Sequence, residues 1–291
     1  MTTRTKSIIF LALAYAVTWA IVIGARGAGL HEAPPQIAVA VLAVSMVGPT
    51  IAALICALAF EKGRRVEALG LRFKVNWWWL MAWLFPIAIA AASVALTLLL
   101  SDRTYVDVGA AQAQGVAAQG QDISQIPPLL LSTAFLVTMS ISVGALINTV
   151  ILTFTEELGW RGYLHYLWRP AGFWRASLGT GLVWGFWHAP AIYLFGHNYP
   201  DNRLLGVGLF VLFCLLLSPI IALVRERAGS VWAAGIFHGT FNAVGGLTLA
   251  AVSMPTFPWN GIVGLGGFIA LAAGVLVVFL LQRGAPAPAA A

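Results

Sequence analysis

Residues 204–224 read LLGVGLFVLFCLLLSPIIALV, twenty-one consecutive positions without a charged side chain. A run of that length crosses a bilayer as a helix, because about 20 apolar residues rising 1.5 Å each match a hydrocarbon layer of ~30 Å. Runs of the same character lie at 7–24, 37–60, 77–100, 129–155, 177–196, 229–250 and 261–281. In lipid no water is at hand to bond the backbone, so each run pairs its own N–H and C=O groups as a helix. No segment alternates as a membrane barrel strand would. The sequence predicts an all-α fold: a polytopic membrane bundle of eight transmembrane helices in one domain, residues 1–291. The tail 284–291 (GAPAPAAA) is of low complexity and is expected to be disordered.

Composition agrees. Hydrophobic residues make up 60% of the chain and charged ones 9%, whereas a soluble domain carries roughly 25% charged residues. The net charge of +6 reads as loop charge that sets orientation and gives no sign of a nucleic-acid partner. Arg4 and Lys6 before an apolar run could imitate a secretion signal, but the run 7–24 is longer than a signal core, so it reads as the first membrane helix. With the N-terminus inside, cytoplasmic segments hold thirteen Lys and Arg, and the opposite side holds only Arg26, Arg103 and Arg203. The positive-inside rule then places both termini in the cytoplasm, and composition leans toward a prokaryotic plasma membrane. Cys56 and Cys214 sit far apart in apolar runs and read as buried small side chains, neither a disulfide nor a metal pair.

Ionisable groups within membrane helices are costly and usually mark function. Three short sets stand out. Thr155-Glu156-Glu157-Leu158-Gly159-Trp160-Arg161 ends the fourth run. Its adjacent carboxylates point about 100° apart on a helix, so they serve different ends. Glu157 and Arg161, spaced i and i+4, are placed to pair, which leaves Glu156 for the bundle interior. Trp184-Gly185-Phe186-Trp187-His188 puts an imidazole near mid-membrane. His238-Gly239-Thr240-Phe241-Asn242 puts two polar groups on one helix face. Each set alone fits a bland reading, a solvated helix end or a bonded core residue. Together they place four groups at similar depth, in one cavity in the cytoplasmic half, provided the fourth helix continues to Arg161 or beyond. Gly181-x-x-x-Gly185 and Gly235-x-x-x-Gly239 allow close helix approach on the same two helices. His165 reads as solvated, His31 and His197 as outer-loop residues, and Asn148 as packing. The segment 101–128 reads as an outer loop.

Glu-Glu-x-x-x-Arg, an aromatic-x-x-x-His and His-x-x-x-Asn, each on its own membrane helix between about 130 and 250, resemble the CPBP family of CAAX prenyl endopeptidases and Abi-type bacteriocin-processing proteins. One departure is Trp184, where that family usually has Phe; it is not expected to matter. The resemblance implies that Glu156 and His188 activate a water, that His238 and Asn242 stabilise the oxyanion, and that Glu157 and Arg161 support the site. It implies a peptide or protein substrate at the membrane, either membrane-presented or lipid-modified. Metal-free glutamate chemistry is favoured. A zinc version, with Glu156, His188 and His238 as ligands, lacks a His-Glu-x-x-His helix. The alternative from another class is a non-enzymatic immunity or partner protein on the same scaffold. A transporter would call for inverted repeats, and none is found.

Overall fold

The computed structural model describes residues 1–283; the expected disordered tail lies outside the described residues. The protein is all-helical, and among the described residues the only strand-like pairing is an isolated bridge between Tyr105 and Val252. Among the described residues, six helices are long and apolar enough to cross a membrane: α1 (Thr3–Gly27), α2 (Pro35–Phe60, with a turn at Met46-Val47), α3 (Trp78–Leu100), α5 (Thr133–Ala171), α8 (Arg203–Ala228) and α10 (Leu265–Arg283). Between them lie α4 (Val108–Ala118), the broken pair α6 (Phe173–Trp187) and α7 (Ala189–Phe195), and α9 (Val231–Ala250). The two expected spans outside the set of six, 177–196 and 229–250, are the ones that carry His188 and His238.

Two expectations are corrected here. The 101–128 segment contains α4, whose first turn is capped by the Asp107 carboxylate accepting from the Ala110 N–H at 2.9 Å. The run 177–196 is not one helix. Pro190 has no N–H to give and its ring crowds the carbonyl four residues back, so regular α-helix stops at Trp187 and resumes at Ala189. His188 occupies the joint.

Hydrogen bonds gather the connections into two ends. At one, Lys6 Nζ meets Glu61 Oε1 at 2.6 Å, Val231 N–H donates to the Gly70 carbonyl at 2.9 Å, and Asn76 Nδ2 donates to the Arg227 carbonyl at 3.2 Å. Arg227 also reaches the carbonyl of Leu281 at 3.4 Å, which brings the end of α10 here as well. The segments that carry the thirteen basic residues meet at this end. At the other, Tyr199 Oη donates to the Val263 carbonyl at 2.7 Å and Asn260 Nδ2 to the Asn198 carbonyl at 3.4 Å.

The glycine spacings do what the sequence proposed. A Cβ at Gly181 would stand 2.7 Å from the Cys214 carbonyl oxygen, and one at Gly185 would stand 2.7 Å from Val211 Cα, so α6 and α8 touch backbone to backbone. On α9, Gly235 and Gly239 meet Thr153 and Thr149 of α5 in the same way. These two seams hold the helices bearing His188 and His238 against the rest of the bundle. Gly181→Ala is expected to lower stability by about 1–3 kcal/mol through overpacking. Gly208→Ala on α8, with nothing within 4 Å of the new methyl, is expected to be neutral or slightly stabilising. Thermal unfolding of the two purified variants in detergent compares them directly.

Candidate active site

The fourth run continues well past Glu157. α5 extends to Ala171, and its stretch Thr153–Leu164 is π-helical, with i→i+5 bonding in place of i→i+4. Long π segments are rare and single-turn ones recur at functional sites. With ten of its twelve residues buried, this stretch carries both carboxylates into the bundle.

Glu157 is fully buried and already engaged. Its Oε1 accepts from Arg161 Nη1 at 2.9 Å and from His238 Nδ1 at 2.8 Å. The i, i+4 pairing anticipated from the sequence is present, and α9 supplies a second donor. Arg161 is 1% exposed; its guanidinium stacks 4.2 Å from the ring centre of Trp184 and reaches Ser218 Oγ at 3.4 Å. Two further contacts, on α6 and α8, thus support the buried charge pair, while Arg161 Nε and Glu157 Oε2 are left without a hydrogen-bond partner.

Glu156 points elsewhere. Its Oε2 accepts from the Trp184 indole N–H at 2.7 Å, and the residue lines a cavity of about 420 Å³. His188, His238 and Asn242 line the same cavity. A carbonyl can only accept, so the 2.8 Å contact of His188 Nδ1 with the Trp184 carbonyl assigns a proton to Nδ1 and leaves the Nε2 lone pair free. The same reasoning with the Glu157 carboxylate assigns a proton to Nδ1 of His238. The Trp184 ring lies between the two imidazoles, 5.8 Å from His188 and 5.2 Å from His238, centre to centre.

Several side chains differ from expectation. Trp184 matters: the indole N–H gives Glu156 a hydrogen bond that the family's usual Phe cannot. His165 is buried, 3.5 Å from Glu226 in the last turn of α8. Asn148 and His197 both line the cavity, although neither stood out in sequence. No periodicity signal could have marked His197, which reaches the cavity from a connection between helices. The cavity also does not extend toward the end that holds the termini. Between Glu156 and that end, Trp160, Tyr163 and Leu164 are fully buried, and the remaining wall is built by residues such as Asn198, Asn260 and Val263 at the opposite end.

Zinc in a catalytic site takes three protein ligands and leaves one position open. Among the described residues no three His, Cys, Asp or Glu side chains gather to hold an ion. Glu156, His188 and His238 share a cavity without converging on one point, so no chemistry is routed through a metal below.

Trp184→Phe leaves a buried carboxylate oxygen without its donor, and the expected loss of stability is about 1–3 kcal/mol. In a Glu156→Ala background there is no acceptor to orphan, and the same substitution is expected to cost clearly less. A double-mutant cycle on detergent-solubilised protein measures the difference; equal costs in both backgrounds would show that the bond contributes nothing.

Residues 138–244 match the family model described as type II CAAX prenyl endopeptidase, Rce1-like, and this segment holds all three motifs. No curated relative matches the chain. The Rce1-like family is one of proteases, hydrolases of membrane-associated peptides, and the apolar helices make this chain an integral multi-pass membrane protein. Residues 138–244 are thus an Rce1-like domain of the CPBP family.

Proposed function

We propose that this protein is an intramembrane endopeptidase that hydrolyses a peptide bond of a membrane-presented or lipid-modified, CAAX-like substrate by a metal-free route. The observation that carries this reading is that Glu156 of α5, His188 at the α6–α7 joint, and His238 and Asn242 of α9 line one cavity.

Amide hydrolysis requires an activated water and donors aimed at the oxygen that gains charge. Glu156 is the group free to take a proton from water, since Glu157 is committed to Arg161 and His238. His188, with Nε2 unprotonated, is placed to share that task and to return the proton to the leaving amine. Asn242 Nδ2 and His238 Nε2 are the donors for the oxyanion. To donate from Nε2, His238 carries protons on both nitrogens, and the Glu157 carboxylate at 2.8 Å offsets that charge. Trp184 keeps Glu156 directed at the cavity. The apolar walls, among them Phe210, Phe213 and Phe241, exclude bulk water and suit a hydrophobic substrate segment.

The test is cleavage by detergent-purified protein of a panel of farnesylated CAAX peptides and transmembrane-segment peptides, with and without a zinc chelator. Wild type is expected to cleave at least one, unaffected by the chelator. Glu156→Ala and His188→Ala are each expected to lose about 10²- to 10⁴-fold in rate, the range of a general acid–base contribution. Full activity in both variants would remove these residues from the reaction. Chelator inactivation reversed by zinc would replace the metal-free route, and inert wild type would favour a non-enzymatic partner role.

A further inference from the structure

The protein's charge and its cavity point in opposite directions along the bundle. Twelve of the sixteen Lys and Arg belong to the end where the termini, the 61–76 connection and the α8–α9 turn meet, while Arg161 is buried within the bundle. The other end carries three Arg against five Asp or Glu, namely Glu32, Asp102, Asp107, Asp122 and Asp201. Such an asymmetry sets the basic end in the cytoplasm.

From Glu156 toward the basic end the bundle is solid. Trp160 and Tyr163 pack on Phe10 of α1, with ring centres 5.7 and 5.6 Å from it. Gly162 lies so close to the Leu69 backbone that a Cβ would stand 2.7 Å from its carbonyl oxygen, and Arg225 Nε donates to the Arg161 carbonyl at 3.0 Å. None of these residues lines the cavity. The cavity wall instead climbs from His238 and Asn242 past Gly246 and Leu249 of α9 to His197, Asn198 and Asn260 in the connections at the acidic end.

We infer that the catalytic cavity takes its substrate from the extracytoplasmic face. The bond it reaches belongs to the extracytoplasmic juxtamembrane stretch of a membrane-anchored or lipid-modified peptide. This rests on the peptidase reading for the word substrate, while the sidedness stands on geometry and charge alone. The mouth is polar and uncharged, with an imidazole and two amides, which suits an extended peptide backbone seeking hydrogen-bond partners. The floor below is aromatic.

The experiment uses single-cysteine variants of the full chain in bacterial cells, probed with a membrane-impermeant cationic methanethiosulfonate. Native Cys56 and Cys214 are buried and serve as the unreactive background. Gly246→Cys places a thiol on the cavity wall where nothing lies within 4 Å, and His197→Cys reports the mouth should the first variant fail to accumulate. Asp201→Cys and Lys62→Cys mark the two ends. Expected is labelling of Gly246→Cys and Asp201→Cys from outside in spheroplasts, with Lys62→Cys labelled only in inverted vesicles. Labelling of Gly246→Cys from the same side as Lys62→Cys would overturn the inference, as would Asp201→Cys reacting only from the cytoplasm. A cavity thiol unreactive from both faces overturns it as well. An enzyme inert toward every peptide, with Gly246→Cys labelled from outside, would sink the peptidase reading and leave the sidedness intact. Cleavage with cytoplasmic labelling would do the reverse.

Discussion

The Glu157 carboxylate holds the site together. One of its oxygens receives both Arg161 from its own helix and His238 from α9, and all three residues are buried. An uncompensated charge at that depth would be prohibitive, so the three groups are mutually required. Arg161 extends the network to the Trp184 ring on α6 and Ser218 on α8. Four helices are thereby fixed to one another by a single carboxylate and its cation. The neighbouring Glu156 is freed from any structural duty by that arrangement and turns to Trp184 and the cavity.

Around this network the packing is set by small residues and by one break. Gly181, Gly185, Gly235 and Gly239 let backbones approach to contact, which removes side-chain bulk between helices and leaves the polar groups as neighbours. Pro190 interrupts the helix next to His188, so that this residue sits at a joint, with its Nδ1 anchored on the Trp184 carbonyl and its other nitrogen unbound. Trp184 thus contacts Glu156 through its indole N–H, His188 through its carbonyl and Arg161 through its ring. The first of these contacts needs the indole N–H, which a Phe at this position lacks.

On the basic side, Glu61 gathers Lys6 at 2.6 Å and the hydroxyls of Tyr163 and Tyr166 at 3.4 Å each. That cluster ties α1, α2 and α5 together just where water would otherwise enter. At the opposite end the connections meet through Tyr199 to Val263, Asn260 to Asn198 and the short pairing of Thr104–Val106 with Ala251–Ser253.

The sequence by itself determined that this is a helical membrane protein, which three helical runs carry the family's motifs, and that Glu157 rather than Glu156 pairs with Arg161. Those conclusions follow from composition, run length and the spacing of residues on a helix face, which are local properties of the chain. Only the tertiary structure decided how deep Glu156 lies, that His165 is buried, that Asn148 and His197 join the cavity, that Trp184 donates to Glu156, and toward which end the cavity runs. Each of those depends on where one helix stops and how closely another approaches. The π-helical stretch of α5 and the Pro190 break change depth and direction by amounts that periodicity alone does not encode, and contacts between residues as far apart as Glu157 and His238 are settled by packing of the whole bundle.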